Sequence, residues 1–314
     1  MEVLTAVDPG RIGDLRARGE FFWLDLHEPP DEELARAGGA LGLHPLALED
    51  SREFNQRPKL DRYPQGILFV YWSARITPDR LAVEPVETHL HISGEFLATV
   101  RRGICKDLDD LHEEVAKLDP EHEDFVVYLV LDALTDALFP VVDNLEDRID
   151  SLEGAVLTAV DHNQIGQVYR LKQEVQAIHR RLLPQRDNFP AQVHAIMELP
   201  GLEHGKREYL RDVGDHMVQV SGELQRQIDD LTTLTSTYFN ANANRLNRLL
   251  TRLTVMGTFF LVWTLVTSFF GQNFGWLVRH INSFTAFALY QGLALLVPTI
   301  VVAIYFWRRR SEWL

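Results

Sequence analysis

Between Asn247 and Gly271 the chain places Asn247, Leu250, Thr254, Gly257, Leu261, Thr264, Ser268 and Gly271 at alternating steps of three and four. That repeat keeps residues on one face of a helix, and this face alternates polar, small and apolar groups. Inside a bilayer, hydroxyl and amide side chains need partners, and small residues let helices approach closely. Two helices cannot enclose a wet path, so the seam either glues a hairpin together or faces an axis shared by several copies of the chain. Immediately after it, Gly271, Gln272 and Asn273 break an apolar run. Other chemistry is sparse. His89 and His91 alternate on an expected strand and share one face, a spacing able to hold Zn2+, but no Cys or third ligand lies nearby, so ordinary histidines are expected. GLEHGKRE, from Gly201, has three residues between its glycines and Arg207 where a Ser or Thr should follow Lys206, which rejects it as a phosphate loop. No nucleophile, base and orienting acid stand out, and an enzyme is not expected.

The elements that carry the seam are membrane spans. Leu253 to Phe270 hold no charge, and the uncharged run continues to Val278, long enough to cross a bilayer as a helix. A second uncharged run, Ile281 to Trp307, follows after only Arg279 and His280, so the two should form a tight hairpin. Arg245, Arg248 and Arg252 precede the first span and Arg308, Arg309 and Arg310 follow the second. By the positive-inside rule both termini face the cytoplasm of a multi-pass cell-membrane protein. No signal peptide opens the chain at MEVLTAVDPG, which agrees.

Composition supports a cytoplasmic body. The chain has a single cysteine, Cys105, which fits a reducing compartment and excludes an internal disulfide framework. Net charge is −14; from Arg245 onward seven Arg face one acid, Glu312, leaving −20 on the rest. Such a surface argues against nucleic-acid binding and for attraction of cations.

In chain order, residues 1–123 read as an α/β domain, a small mixed sheet flanked by helices. A strand in FFWLDLHEPP precedes a helix in DEELARAGGALG and a short helix at HPLALED. Strands follow at Ile67 to Ile76, VEPVETHLHI and EFLATVRR, and then the helix KDLDDLHEEVAKL. Residues 124–200 read as a helical hairpin. Its first helix, about Phe125 to Val160, is expected to kink at Pro140; the second runs from about Gln164 to Leu183, with an interruption at Pro184 to Pro190. No proline occurs between Gly201 and Val297, and apolar residues recur from Leu210 to Tyr238 at steps of three or four. One long helix is expected over 201–271, roughly 100 Å at 1.5 Å per residue, becoming the first span. An external turn at 272–283, a second span at 284–307 and a basic tail at 308–314 complete the chain.

These segments resemble the CorA family of divalent metal transporters. Gly271, Gln272 and Asn273 are similar to that family's Gly-Met-Asn motif, with Gln at the middle position. HPLALED with NQRPK (Asn55 to Lys59), YLVLDALTDALFPVVDNLEDRIDSLE, YLRDVGDH (Tyr209 to His216) and the ending RRRSEWL also look like family segments, so the resemblance spans nearly the whole chain. It implies a homopentamer with a cytoplasmic funnel, in which long helices line a pore and second spans form an outer ring. Gly271, Gln272 and Asn273 would form the selectivity filter, with five copies of Asn273 as a carboxamide collar suited to a hydrated ion. Asn247 would form a second ring, and Leu250 and Leu261 constrictions that close by dewetting.

The resemblance further implies inward transport of Mg2+, with Co2+ and Ni2+, down the electrochemical gradient. Metal bound between cytoplasmic domains would hold the pore shut, through Asp50, with Glu49, of one subunit and Asp212 of the next. Two carboxylates meeting there repel unless a cation sits between them. The turn FGWLVRHINS lacks acids, and the middle motif residue also varies in the zinc-transporting branch. A transition-metal, proton-coupled transporter and a non-conducting membrane sensor or scaffold are the alternatives.

Overall fold

The structure, a computed structural model, describes residues 1–78, 82–117, 123–159, 161–200, 202, 207–272, 275–281 and 283–308. It divides into two compact units, Met1–Thr235 and Ser236–Leu314.

The first unit begins with β1 (Glu2–Leu4), α1 (Pro9–Arg18) and β2 (Phe22–His27). Asp8 caps α1, accepting from the Gly10 and Arg11 amides at 3.0 and 3.1 Å, and Gly19 ends it in the left-handed region at φ 66°. Then come α2 (Asp31–Leu41), which opens on Asp31, Glu32 and Glu33, and α3 (Pro45–Glu53), capped by the His44 ring on the Leu46 amide. The strands β3 (Lys59–Tyr63), β4 (Gly66–Thr77), β5 (Ala82–Ile92) and β6 (Phe96–Arg102) lead to α4 (Lys106–Val115). The sheet order is β1-β2-β6-β5-β4-β3, with β1, β2 and β6 parallel and the remaining pairs antiparallel. This is the mixed sheet with flanking helices expected from the pattern of runs. The sequence reading did not anticipate β1, α1 or β3: β1 has three residues, too few to show alternation, and β3 (KLDRY) is mostly charged. The largest enclosed side chains, among them Trp23, Tyr71, Phe21, Phe22 and Phe69, sit on or beside this sheet.

The helices that follow are α5 (Glu123–Asp136), α6 (Leu138–Thr158) and α7 (Gln164–Met197). The kink expected at Pro140 is a break at Ala137. Pro140 has no N–H for the Asp136 carbonyl four residues back and its ring crowds that carbonyl, so the chain divides there. The interruption expected at Pro184 to Pro190 is absent, because α7 runs through both prolines. Each costs roughly 3 kcal/mol in a helix interior. Burial of Leu182 and Phe189 beside them offsets this by about 1.5–3 kcal/mol each. Gln185 adds a main-chain tie: its Oε1 accepts from Trp72 N at 2.7 Å and its Nε2 donates to Trp72 O at 3.1 Å.

The helix α8 (Arg207–Phe270) contributes to both units. In the first, its buried stripe is Leu210, Val213, Met217, Val220, Leu224, Leu231 and Leu234. In the second it is followed by α9 (Gly275–His280), a helical turn the sequence reading took as plain loop, and α10 (Phe284–Arg308). Among the described residues, three helical stretches are long and apolar enough to cross a bilayer; the most apolar part of Phe125–Thr158 is 56% buried, whereas those of α8 and α10 hold no buried residue. The first is a core element, and the other two present apolar surface that lipid satisfies.

Candidate functional site

In the second unit, Trp263 Nε1 donates to Thr299 Oγ1 of α10 at 3.0 Å, and the Phe270 and Phe287 rings meet edge to face with centroids 6.1 Å apart. Trp263 and Phe270 are seven residues apart and mark the line of α8 that faces α10. The seam Asn247, Leu250, Thr254, Gly257, Leu261, Thr264 and Ser268 is centred about 150° around the helix from that line. All of its members are exposed except the half-buried Gly257, and Leu261 keeps 73% of its surface. The seam is therefore not glue within this hairpin. Its threonines turn their hydrogens to the main chain, Thr254 to Leu250 O at 2.9 Å and Thr264 to Phe260 O at 2.7 Å. Their oxygens are left as acceptors on the uncovered face. At the end of α8, Gly271 N donates to Thr267 O at 2.9 Å and Gln272 N to Phe269 O at 3.3 Å. Asn273 falls outside the described residues.

In the first unit, Asp50 is already engaged. Lys59 Nζ donates to its Oδ2 at 2.7 Å and sits 2.8 Å from Asp61. Burial works to lower the Lys59 ammonium, but the two carboxylates outweigh it and hold its pKa above the ordinary value. Glu49 is exposed. Asp212 lies instead with residues of α5 and its own helix. His216 Nε2 is 3.9 Å from Asp212, and His216 Nδ1 is 3.1 Å from Asp136 and 3.9 Å from Asp132. Asp132, Asp212 and His216 bring one ligand atom each within 4.8 Å of the others. Tyr128, Asp132 and Asp136 repeat at steps of four and share one face of α5, just as Asp212 and His216 share one of α8. Burial, then the neighbouring Asp136, raises the Asp132 carboxyl above its usual range.

Among the described residues, buried Asp132 Oδ1 has no hydrogen-bond partner, and buried His216 Nδ1, though 3.1 Å from Asp136, makes no well-aligned hydrogen bond. Crowded carboxylates with orphaned atoms are a set that a cation completes. Oxygen ligands suit Mg2+, and the imidazole extends the fit to Co2+, Ni2+ or Zn2+. Sequence reasoning missed Asp132 and Asp136, and took His216 as part of a hydrogen-bond network.

A second group, Asp25, Asp109 and His112, has comparable spacing, but it encloses its own cation. Arg101 bonds both Asp25 and Asp109. Burial alone would raise Asp25; hydrogen bonds from His112 and Thr99 and the Arg101 charge outweigh it and hold the carboxyl below its ordinary value. His89 and His91 are buried and hydrogen-bonded, as expected of ordinary histidines. Ser51 Oγ lies 2.9 Å from His91 Nε2 and 3.1 Å from His89 Nδ1, and His89 Nε2 lies 2.8 Å from Glu87. This Ser-His-Glu grouping has no access to a substrate, since Ser51 and His89 are wholly enclosed and Glu87 already binds the Asn55 and Gln56 amides.

Comparison with known proteins bears on the family and the fold. YfjQ of Bacillus subtilis is 26% identical over 293 residues, covering 90% of this chain and 88% of that protein. The cobalt/magnesium transport protein CorA of Thermotoga maritima is 23% identical over 285 residues, covering 89% and 79%. The fold matches the complete structure of the CorA magnesium transporter from Methanocaldococcus jannaschii with a TM-score of 0.78 at 21% identity, over 93% of this chain and 91% of the other. The model of the CorA-like Mg2+ transporter proteins matches residues 18–310, and this chain belongs to that family.

Proposed function

We propose that several copies of this chain, five by family resemblance, surround an axis lined by the α8 seam and carry divalent cations into the cytoplasm. The observation that supports this best is the direction of the seam: its neutral oxygens and small residues point away from the only other span described, and polar groups in lipid need a partner. Further copies, and the water they enclose, supply it. Gly271, Gln272 and Asn273 would stand at the outer mouth, Asn247 at the inner end, and Leu250 and Leu261 at constrictions. Mg2+ is the first substrate, with Co2+ and Ni2+ beside it, because a hydrated ion suits neutral oxygens. Entry of a divalent ion across 100 mV releases roughly 4.6 kcal/mol, enough without ATP. Both termini lie in the cytoplasm, as the arginines flanking the spans suggest.

Cytosolic metal would close the path by bridging Asp50 and Glu49 of one copy to Asp212 of the next, with Asp132 and His216 completing the ligand set. The imidazole there favours a second reading, in which a transition metal is the sensed and transported ion. Flux into liposomes of Mg2+, Co2+, Ni2+ and Zn2+, with and without a pH gradient, separates the two. Asn273→Ala is expected to abolish flux in a folded, oligomeric protein. Undiminished flux, or a monomer in the bilayer, overturns the transport reading, and a folded wild type that moves none of these ions is a scaffold. For regulation, Asp212→Ala is expected to weaken the protection that Mg2+ gives against protease; unchanged protection counts against the sensing site.

A further inference from the structure

The first unit contains a cavity of about 240 Å3 between the free edge of β4 and α7. Beyond Val70, β4 has a neighbour on one side only among the described residues, because β3 begins at Lys59 opposite that residue. Gln185 takes the place of the missing strand at Trp72, bonding its N–H and C=O. The next residue whose main chain turns to the same side is Ala74. Among the described residues no side chain bonds its N–H or C=O, and Ala74 lines the cavity.

Most of the walls are apolar, from Pro85, Leu138 and Ile178 among others, with Arg181 at one side. The Arg181 guanidinium rests 4.6 Å from the centre of the Trp72 ring. Its one hydrogen bond is to Ala177 O of its own helix, at 3.2 Å, and no carboxylate pairs with it among the described residues. Glu174, which also lines the space, is taken by Arg148 and the Val83 amide. Ser73 also borders the space, but its buried hydroxyl is on the opposite face of β4 from Trp72 and Ala74.

We infer that this cavity binds a small carboxylate with a compact apolar body. The carboxylate would lie between the Arg181 guanidinium and the Ala74 N–H, in the position Gln185 holds one step along the strand. The apolar part would fill the space between Pro85 and Ile178. An unpaired guanidinium and a free strand-edge amide are both donors, so the site selects an anion over a neutral molecule of the same shape. A volume just under the range of drug-sized pockets limits the ligand to roughly the size of a benzoate. The inference stands apart from transport, since none of these residues belongs to the seam or the acid cluster.

The test uses the full-length protein in detergent, with 4-fluorobenzoate and 4-fluorobenzyl alcohol as probes followed by fluorine NMR. Wild type is expected to bind the carboxylate about tenfold or more tightly than the alcohol, a difference of about 1.4 kcal/mol. Arg181→Gln should remove that discrimination while keeping weak binding of both. Ala177→Phe, which fills the cavity from α7, should abolish both, and circular dichroism checks that each variant folds. Should Ala177→Phe fail to fold, Ile178→Phe fills the same space. No binding of the carboxylate to folded wild type up to about 10 mM overturns the inference. So does binding unchanged in folded variants, or equal affinity for the two probes.

Discussion

At the scale of single residues, the two acid clusters show how one arrangement of side chains leads to opposite chemistry. Asp25 has Arg101 inside its cluster and needs nothing further; among the described residues Asp132 has no Arg or Lys beside it and keeps an unsatisfied oxygen. Replacing Asp132 by Asn is accordingly expected to reduce divalent-metal affinity of the first unit by about tenfold, on the order of 1.4 kcal/mol, measured by calorimetric titration. Asp25 makes a different prediction. Its folded pKa lies below the ordinary 3.8, so its stabilising contribution is complete above that value and is lost as the pH falls through the lower folded one. His112→Phe keeps a ring against Trp23 but removes the hydrogen bond to the carboxylate. It should cost about 1.5–3 kcal/mol in denaturant and start acid unfolding at a higher pH, followed by circular dichroism. Asp212 was singled out because YLRDVGDH resembles a family segment. Asp132 and Asp136 were not, since acids four apart on an apolar helix also describe a solvated edge, and only the packing of α5 beside His216 distinguishes the two.

At the scale of elements, local signals located most helices and strands and failed where tertiary contacts outweigh them. Pro184 and Pro190 are breakers by composition, yet α7 continues because its buried face and Gln185 hold it on the sheet. Gln185→Leu should therefore destabilise the protein by about 1–3 kcal/mol, since Trp72 N–H and C=O lose their partner in a dry place; thermal unfolding would register it. Pro140 was read correctly as a disturbance, though its effect falls three residues earlier, at Ala137, where the obstructed carbonyl is. The strands β4, β5 and β6 were legible from long apolar alternation. No comparable signal marks β3, which is set by its pairing with β4.

At the scale of the whole molecule, the seam on α8 is the feature whose meaning the sequence left open, because periodicity gives a face without saying what lies opposite. Trp263 and Phe270 identify the side that meets α10, which leaves the polar side for something outside a single chain. Native mass measurement in detergent should therefore find a closed ring of copies, and five by resemblance; a monomer that still conducts would contradict this. The Lys59 clamp on Asp50 has one more consequence within the same scheme. A tethered ammonium never diffuses away, and its local concentration is of millimolar order. If metal closes the path at Asp50 as proposed, a dissolved ion would have to displace this resident rival, and the lysine would set the level at which closure begins. Shortening or neutralising that arm should retune the alarm to scarcer metal while leaving conduction itself untouched.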